Sequence, residues 1–129
     1  MSTGISAVQA TAVAAGASAG ALLRWWAGMA LNGLWAGFPI GTLLVNCVGG
    51  ALIGVAMVWF ARSPDETLQL LLVTGLLGGF TTFSSFSAES LGLLQRGDVG
   101  LALLHSTAHL LGALACTALG FGLARLMLR

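Results

Sequence analysis

Gly78-Gly79-Phe80-Thr81-Thr82-Phe83-Ser84-Ser85-Phe86 sets glycines, hydroxyls and phenylalanines side by side inside an otherwise apolar run. Adjacent glycines weaken a helix by roughly 1 kcal/mol each relative to alanine. Backbone that opens at membrane depth is tolerated only where protein or a water-filled path satisfies it. The stretch reads as a site. Glu89 follows one turn after Ser85, and Phe80, Phe83 and Phe86 recur at three-residue steps. Elsewhere Thr42, Asn46 and Gly50 recur at i, i+4, i+8, which places them on one helical face. His105 and His109 share a face that continues through Gly112, Ala113, Cys116 and Gly120. Hydroxyls, one amide, ring edges, imidazoles and freed backbone carbonyls coordinate an ion well and break covalent bonds poorly.

Enzymatic chemistry is poorly supplied. The chain holds four acidic residues and no lysine, and it carries no phosphate-binding loop, zincin motif or nucleophile elbow. The His105-x-x-x-His109 pair suits a metal in spacing, but a structural site needs four ligands, with only Cys116 and Glu89 to help. A pathway-lining or helix-contacting stripe is the better reading. An ionisable residue within a span defaults to function with a named partner. For Glu89 the candidates are Arg24 or a histidine, unless it sits solvated beside Arg96. Asn46 either ties two helices together or offers an N–H to something passing, and spacing leaves both open.

These residues need membrane helices to hold them. Of 129 residues, 57% are hydrophobic and only 7% charged, with mean hydropathy +0.97. Soluble domains are about 25% charged, so this surface faces lipid. A span takes about 20 apolar residues, which gives one domain of four spans, near 5–27, 40–61, 67–94 and 101–126. Ala17-Ser18-Ala19 imitates a signal-peptidase site, but no basic residue precedes Arg24. The segment is expected to stay as the first span. Gly16-x-x-x-Gly20 on it lets helix backbones approach closely. Arg24, Trp25 and Trp26 suit an interfacial anchor by position, or a polar vestibule that holds anions. Cys47 and Cys116 both fall in apolar runs without C-x-x-C spacing, as two buried thiols would. The net charge of +1 gives no sign of a nucleic-acid partner. Arg62, Arg125 and Arg129 lie on the side of the N-terminus, and Arg24 and Arg96 on the other. Lys/Arg excess sets orientation, and this near balance permits insertion both ways and an antiparallel homodimer.

The run from Gly78 to Glu89 closely resembles the signature of the Fluc (CrcB) fluoride channel family. Gly20-x-x-x-Arg24-Trp25 and Gly41-Thr42-Leu43-x-x-Asn46-x-x-Gly49 are similar to that family's first and second helices, so the resemblance covers essentially the whole chain. It implies an all-α membrane protein with its third helix broken mid-membrane. The expected assembly is an antiparallel, dual-topology homodimer with two fluoride pores, in the inner or plasma membrane. Phe83 and Phe86 match the phenylalanines whose ring edges face the pore ions. Asn46 matches the pore asparagine, and Ser84 and Ser85 the hydroxyl positions, where threonine is usual at the second. Arg24 joins the pathway at the vestibule. Gly78 and Thr81 match the residues whose backbone carbonyls hold a structural sodium ion at the dimer interface. Where relatives carry a tyrosine and serines in the last span, this chain has His105, His109 and Ala113. The resemblance therefore implies flux more sensitive to pH near the ordinary histidine pKa of about 6.5. Phe80 stands where an aliphatic residue is usual, and packing suffices for it. A proton-coupled exporter of cationic drugs lacks its first-span carboxylate here. A non-transporting assembly subunit has no use for the polar opening in span three.

Overall fold

A computed structural model describes residues 4–129. Four helices follow one another: α1 (Ala7–Leu31), α2 (Ile40–Arg62), α3 (Glu66–Gln95) and α4 (Val99–Met127). No strand occurs among the described residues. Helices α2, α3 and α4 are long and apolar enough to cross a membrane. Helix α1 has the length but is built largely from alanine and glycine and includes Arg24, and it falls outside the helices apolar enough to cross by composition. It runs four residues past the expected end, to Leu31.

Local chemistry sets the helix ends. Ser6 and Gln9 form a reciprocal capping box at the start of α1. Asp65, expected near the start of α3, caps it by accepting from Leu68 N at 2.9 Å, where a carboxylate also suits the helix dipole. At the other end of α3, Gly97 takes φ 81°. Gly97 N then donates to Leu94 O and Asp98 N to Leu93 O, the paired closure of a Schellman motif.

The helices pack as two tight pairs through glycine. Helix α1 lies on the first arm of α3, and α2 on α4. A methyl group on Gly16 would overlap Leu71 O, and one on Gly20 would overlap Leu76 O. The small-residue face of α1 therefore sets backbone against backbone. Gly54 meets Thr117 O, and Gly120 meets Ala51 O, in the same way across α2 and α4. Where Gly16 and Gly75 touch, α3 widens into π-helical turns over Leu70–Leu77, a departure that concentrates at functional sites. Cys47 and Cys116 are free and half-buried rather than fully buried.

Candidate functional site

Helix α3 is interrupted by two residues. Thr81 (φ −85°, ψ 156°) and Thr82 (φ −152°, ψ 119°) are extended between Gly78–Phe80 and Phe83–Gln95. Asn46 clasps this interruption from α2. Its Nδ2 donates to Thr82 O at 3.0 Å, and its Oδ1 accepts from Thr82 N at 2.8 Å. Thr82 then caps the second arm, its Oγ1 accepting from Ser85 N at 3.1 Å. The amides that would close Gly78 O and Thr81 O in an unbroken helix are those of Thr82 and Ser85. Asn46 Oδ1 and Thr82 Oγ1 take them instead. Gly79 O accepts from Arg24 Nε at 3.1 Å. Of the carbonyls at the interruption, those of Gly78 and Thr81 have thus lost their helical donors to side chains.

Beyond the interruption, an aromatic cluster joins α3 to α4. Phe83 and Phe86 meet edge to face with centroids 5.3 Å apart. Phe86 lies 4.6 Å from the His109 ring and 5.4 Å from that of His105, and the two histidine rings are 4.4 Å apart. Asn46, Thr81, Thr82, Phe83, Phe86 and His109 all face one cavity of about 590 Å³, open to the outside of the chain. Phe83 stands 78% exposed there, which lets a ring edge, the positive part of the aromatic quadrupole, meet whatever enters. His109 is buried, and its Nε2 has no hydrogen-bond partner. Leaving a buried polar group unpaired costs about 1–3 kcal/mol.

A polar chain runs behind the cluster. Glu89 accepts from Thr42 Oγ1 at 2.5 Å and lies 3.1 Å from His105 Nε2. His105 Nδ1 meets Ser90 Oγ at 2.7 Å, and Ser90 continues to Ser106 at 3.2 Å. His105 is fully buried, with Phe38 of the α1–α2 loop packed edge-on to its ring. Of the two candidates for Glu89, the geometry selects the histidine. Arg24 shares a second cavity of about 360 Å³ with Asn32, Thr42, Thr82, Ser85 and Glu89. It is half-buried and faces this cavity, whereas the exposed Trp25 and Trp26 have the character of an interfacial anchor.

This arrangement can hold an ion; its serine–histidine–carboxylate line, Ser90–His105–Glu89, runs through the fully buried His105 and lines neither cavity as a unit. The family model described as "CrcB-like protein, Camphor Resistance (CrcB)" matches residues 11–121. The chain belongs to the CrcB family. It is 50% identical over 111 residues to a protein of Pseudomonas aeruginosa, spanning 84% of this chain and 87% of the relative. It is 49% identical over 120 residues to one of Bordetella bronchiseptica, spanning 92% of each. A third, from Aromatoleum aromaticum, is 47% identical over 112 residues, 85% of this chain and 86% of the relative. Each of these relatives is named a fluoride-specific ion channel, FluC.

Within this CrcB fold the expected residues divide into groups. Asn46, Phe83, Phe86, His109, Gly78 and Thr81 come together at the larger cavity. Arg24 and Ser85 come together at the smaller one. Ser84 is exposed, 3.2 Å from Thr82 Oγ1, and lines neither. His105 also lines neither and is engaged with Glu89 and Ser90. Two residues escaped sequence reasoning as individuals. Thr82 makes three of the bonds that shape the interruption, and Ser90 holds His105. Ser90 was signalled by its spacing: it lies four residues after Phe86, as His109 lies four after His105, so the two pairs can face each other.

Proposed function

We propose that this protein is a fluoride-specific channel that lets cytoplasmic fluoride leave passively across the inner or plasma membrane. The observation that carries the reading is near-half identity, over most of the chain, to channels named for fluoride. Hydrogen fluoride enters as a neutral acid and dissociates inside. A selective exit for the anion lowers its concentration and toxicity without an energy source. The channel is multi-pass and not an enzyme. Its physical task is to replace water around a small, tightly hydrated anion while rejecting larger chloride. Phe83 and Phe86 edges, the Ser84 and Ser85 hydroxyls and the histidine ring suit that task, with Arg24 attracting anions at the vestibule. His105 acts behind Glu89 at the pathway wall.

Two copies in opposite orientation complete the channel and give two pores. The near-balanced arginines allow both orientations. An open cavity edged by exposed Phe83 and Gly78 offers a face for the second copy. The Thr81–Thr82 interruption then lies at membrane depth, against a partner rather than lipid, as unpaired backbone there requires. Gly78 O and Thr81 O fit a sodium ion at the interface, since hard cations take oxygen ligands and both have lost their helical donors. Sodium there supplies positive charge to carbonyl oxygens and holds the two copies together. Exchanging sodium for N-methylglucamine is expected to lower flux and loosen the dimer. Unchanged flux and dimer content after exhaustive exchange would remove sodium from the account.

Bacterial cells stripped of their own fluoride exporter should regain growth on millimolar fluoride when they express this chain. Continued sensitivity despite membrane-inserted protein speaks against the function. Protonation of His109 at Nδ1 would set an N–H against the Asn46 amide N–H, 3.2 Å away, so flux is expected to stay flat from pH 8 to 5.5 in the parent and in His109→Ser alike. A parent profile that falls over this range while that of His109→Ser stays flat would contradict this.

A further inference from the structure

Glu89 and Arg24 line the same cavity of about 360 Å³ with opposite charges, yet they form no ion pair. Glu89 is engaged elsewhere. An ionised carboxylate accepts hydrogen bonds and donates none, so both of its contacts run toward it. Thr42 Oγ1 donates to Oε1 at 2.5 Å from α2, and His105 Nε2 donates to Oε2 at 3.1 Å from α4. So short an O–H···O contact suits a charged acceptor. The His105 ring is held in turn. It is fully buried, Ser90 Oγ meets its Nδ1 at 2.7 Å, and Phe38 and Phe86 pack on it with centroids 5.4 Å away.

The same arrangement leaves Arg24 free. Its Nε is given to Gly79 O at 3.1 Å, and no carboxylate among the described residues takes its terminal nitrogens. Arg96, which shares a neighbouring cavity with Glu89, already lies 3.6 Å from Asp98. Arg24 is thus the cation that a loosened Glu89 would find in its own cavity. The Glu89 side chain keeps 22% of its surface open, so it has room to swing. We propose that His105, buttressed by Ser90, is a positioning residue that holds Glu89 off Arg24 and so keeps the guanidinium unneutralised for incoming anions. Positive charge in a cleft with low-dielectric walls raises the local anion concentration and the rate of entry. The effect falls on capture rather than on passage beside Phe83 and Phe86. This rests on the fluoride-channel reading above.

The test is single-channel fluoride conductance in planar bilayers, followed from low to saturating fluoride at low ionic strength. His105→Phe keeps a ring between Phe38 and Phe86 and removes the N–H. Its conductance at low fluoride should fall by about tenfold, the low end of what a charged cleft adds to capture, and by much less at saturation. Sodium gluconate at about 1 M, where the Debye length is about 3 Å, should shrink the difference. Glu89→Gln in the same background removes the charge that neutralises Arg24, and should restore conductance at low fluoride. Thr42→Val keeps the parent shape without the hydroxyl, and should show a smaller fall with the same rescue. Parent-like conductance of His105→Phe at low fluoride, an equal fall at every fluoride concentration, or no rescue by Glu89→Gln would overturn the proposal. Should His105→Phe fail to fold, the Thr42→Val series decides by the same criteria. The parent separates the two claims: a conducting parent with unrescued variants sinks this inference alone, and a silent parent sinks the function.

Discussion

Asn46→Leu is expected to lower fluoride flux by more than about tenfold while leaving a folded, membrane-inserted protein. Leucine keeps asparagine's branched shape but leaves Thr82 N and Thr82 O without their partners at 2.8 and 3.0 Å. Two backbone groups abandoned in a part-buried site cost about 1–3 kcal/mol each. Each 1.4 kcal/mol is a factor of ten in a population or rate. The extended pair Thr81–Thr82 then loses its geometry, and Phe83, one residue on, loses its direction. Global packing should survive, because the backbone contacts of Gly50, Gly54 and Gly120 between α2 and α4 are left in place when the Asn46–His109 contact is lost. Flux in liposomes, set against helical circular dichroism, separates the two effects. Parent-like flux in Asn46→Leu would show that the clasp is dispensable.

Gly54→Val is expected to prevent recovery of folded protein. Its Cβ would fall on the backbone of α4 at Thr117 O and Phe121 N, and backbone cannot swing aside as a side-chain tip can. Overpacking a core costs typically about 1–3 kcal/mol, and more where whole helices must part. Most of the contact that α4 makes with the rest of the chain is with α2, so there is little else to hold α4 in place. Gly122→Ala is the control, since a methyl there meets nothing within 4 Å. Alanine should raise intrinsic helix propensity by up to about 1 kcal/mol. Size-exclusion profiles in mild detergent give the comparison. A monodisperse Gly54→Val sample of parent-like stability would mean that the glycine contact is not needed.

The features legible in the sequence were those with local periodicity. Gly16-x-x-x-Gly20 announced close packing because small residues at that spacing share a face, and the structure sets both glycines on the α3 backbone. The run of glycines and hydroxyls from Gly78 announced a disturbed helix, and the extended backbone falls within it, at Thr81 and Thr82. What the pattern could not supply was pairing across distance. Asn46 and Thr82 lie 36 residues apart, and Ser90 and His105 lie 15 apart. No helical periodicity links them. The choice between Arg24 and a histidine for Glu89 was likewise open until α4 placed His105 at 3.1 Å. Arg24 turned to Gly79 O instead, so position along the span misjudged it. The widened turns of Leu70–Leu77 gave no signal of their own, because leucine and valine fit α- and π-helical turns alike.

The central claim is a path for fluoride that excludes chloride. Liposomes carrying the purified protein should be loaded with equal fluoride and chloride, and efflux of each followed with ion-selective electrodes after a potassium gradient is released. The account predicts rapid fluoride loss from protein-bearing vesicles with chloride retained, and Asn46→Leu vesicles that hold both. Retained fluoride in vesicles shown to contain folded parent protein, or chloride leaving as fast as fluoride, would contradict it.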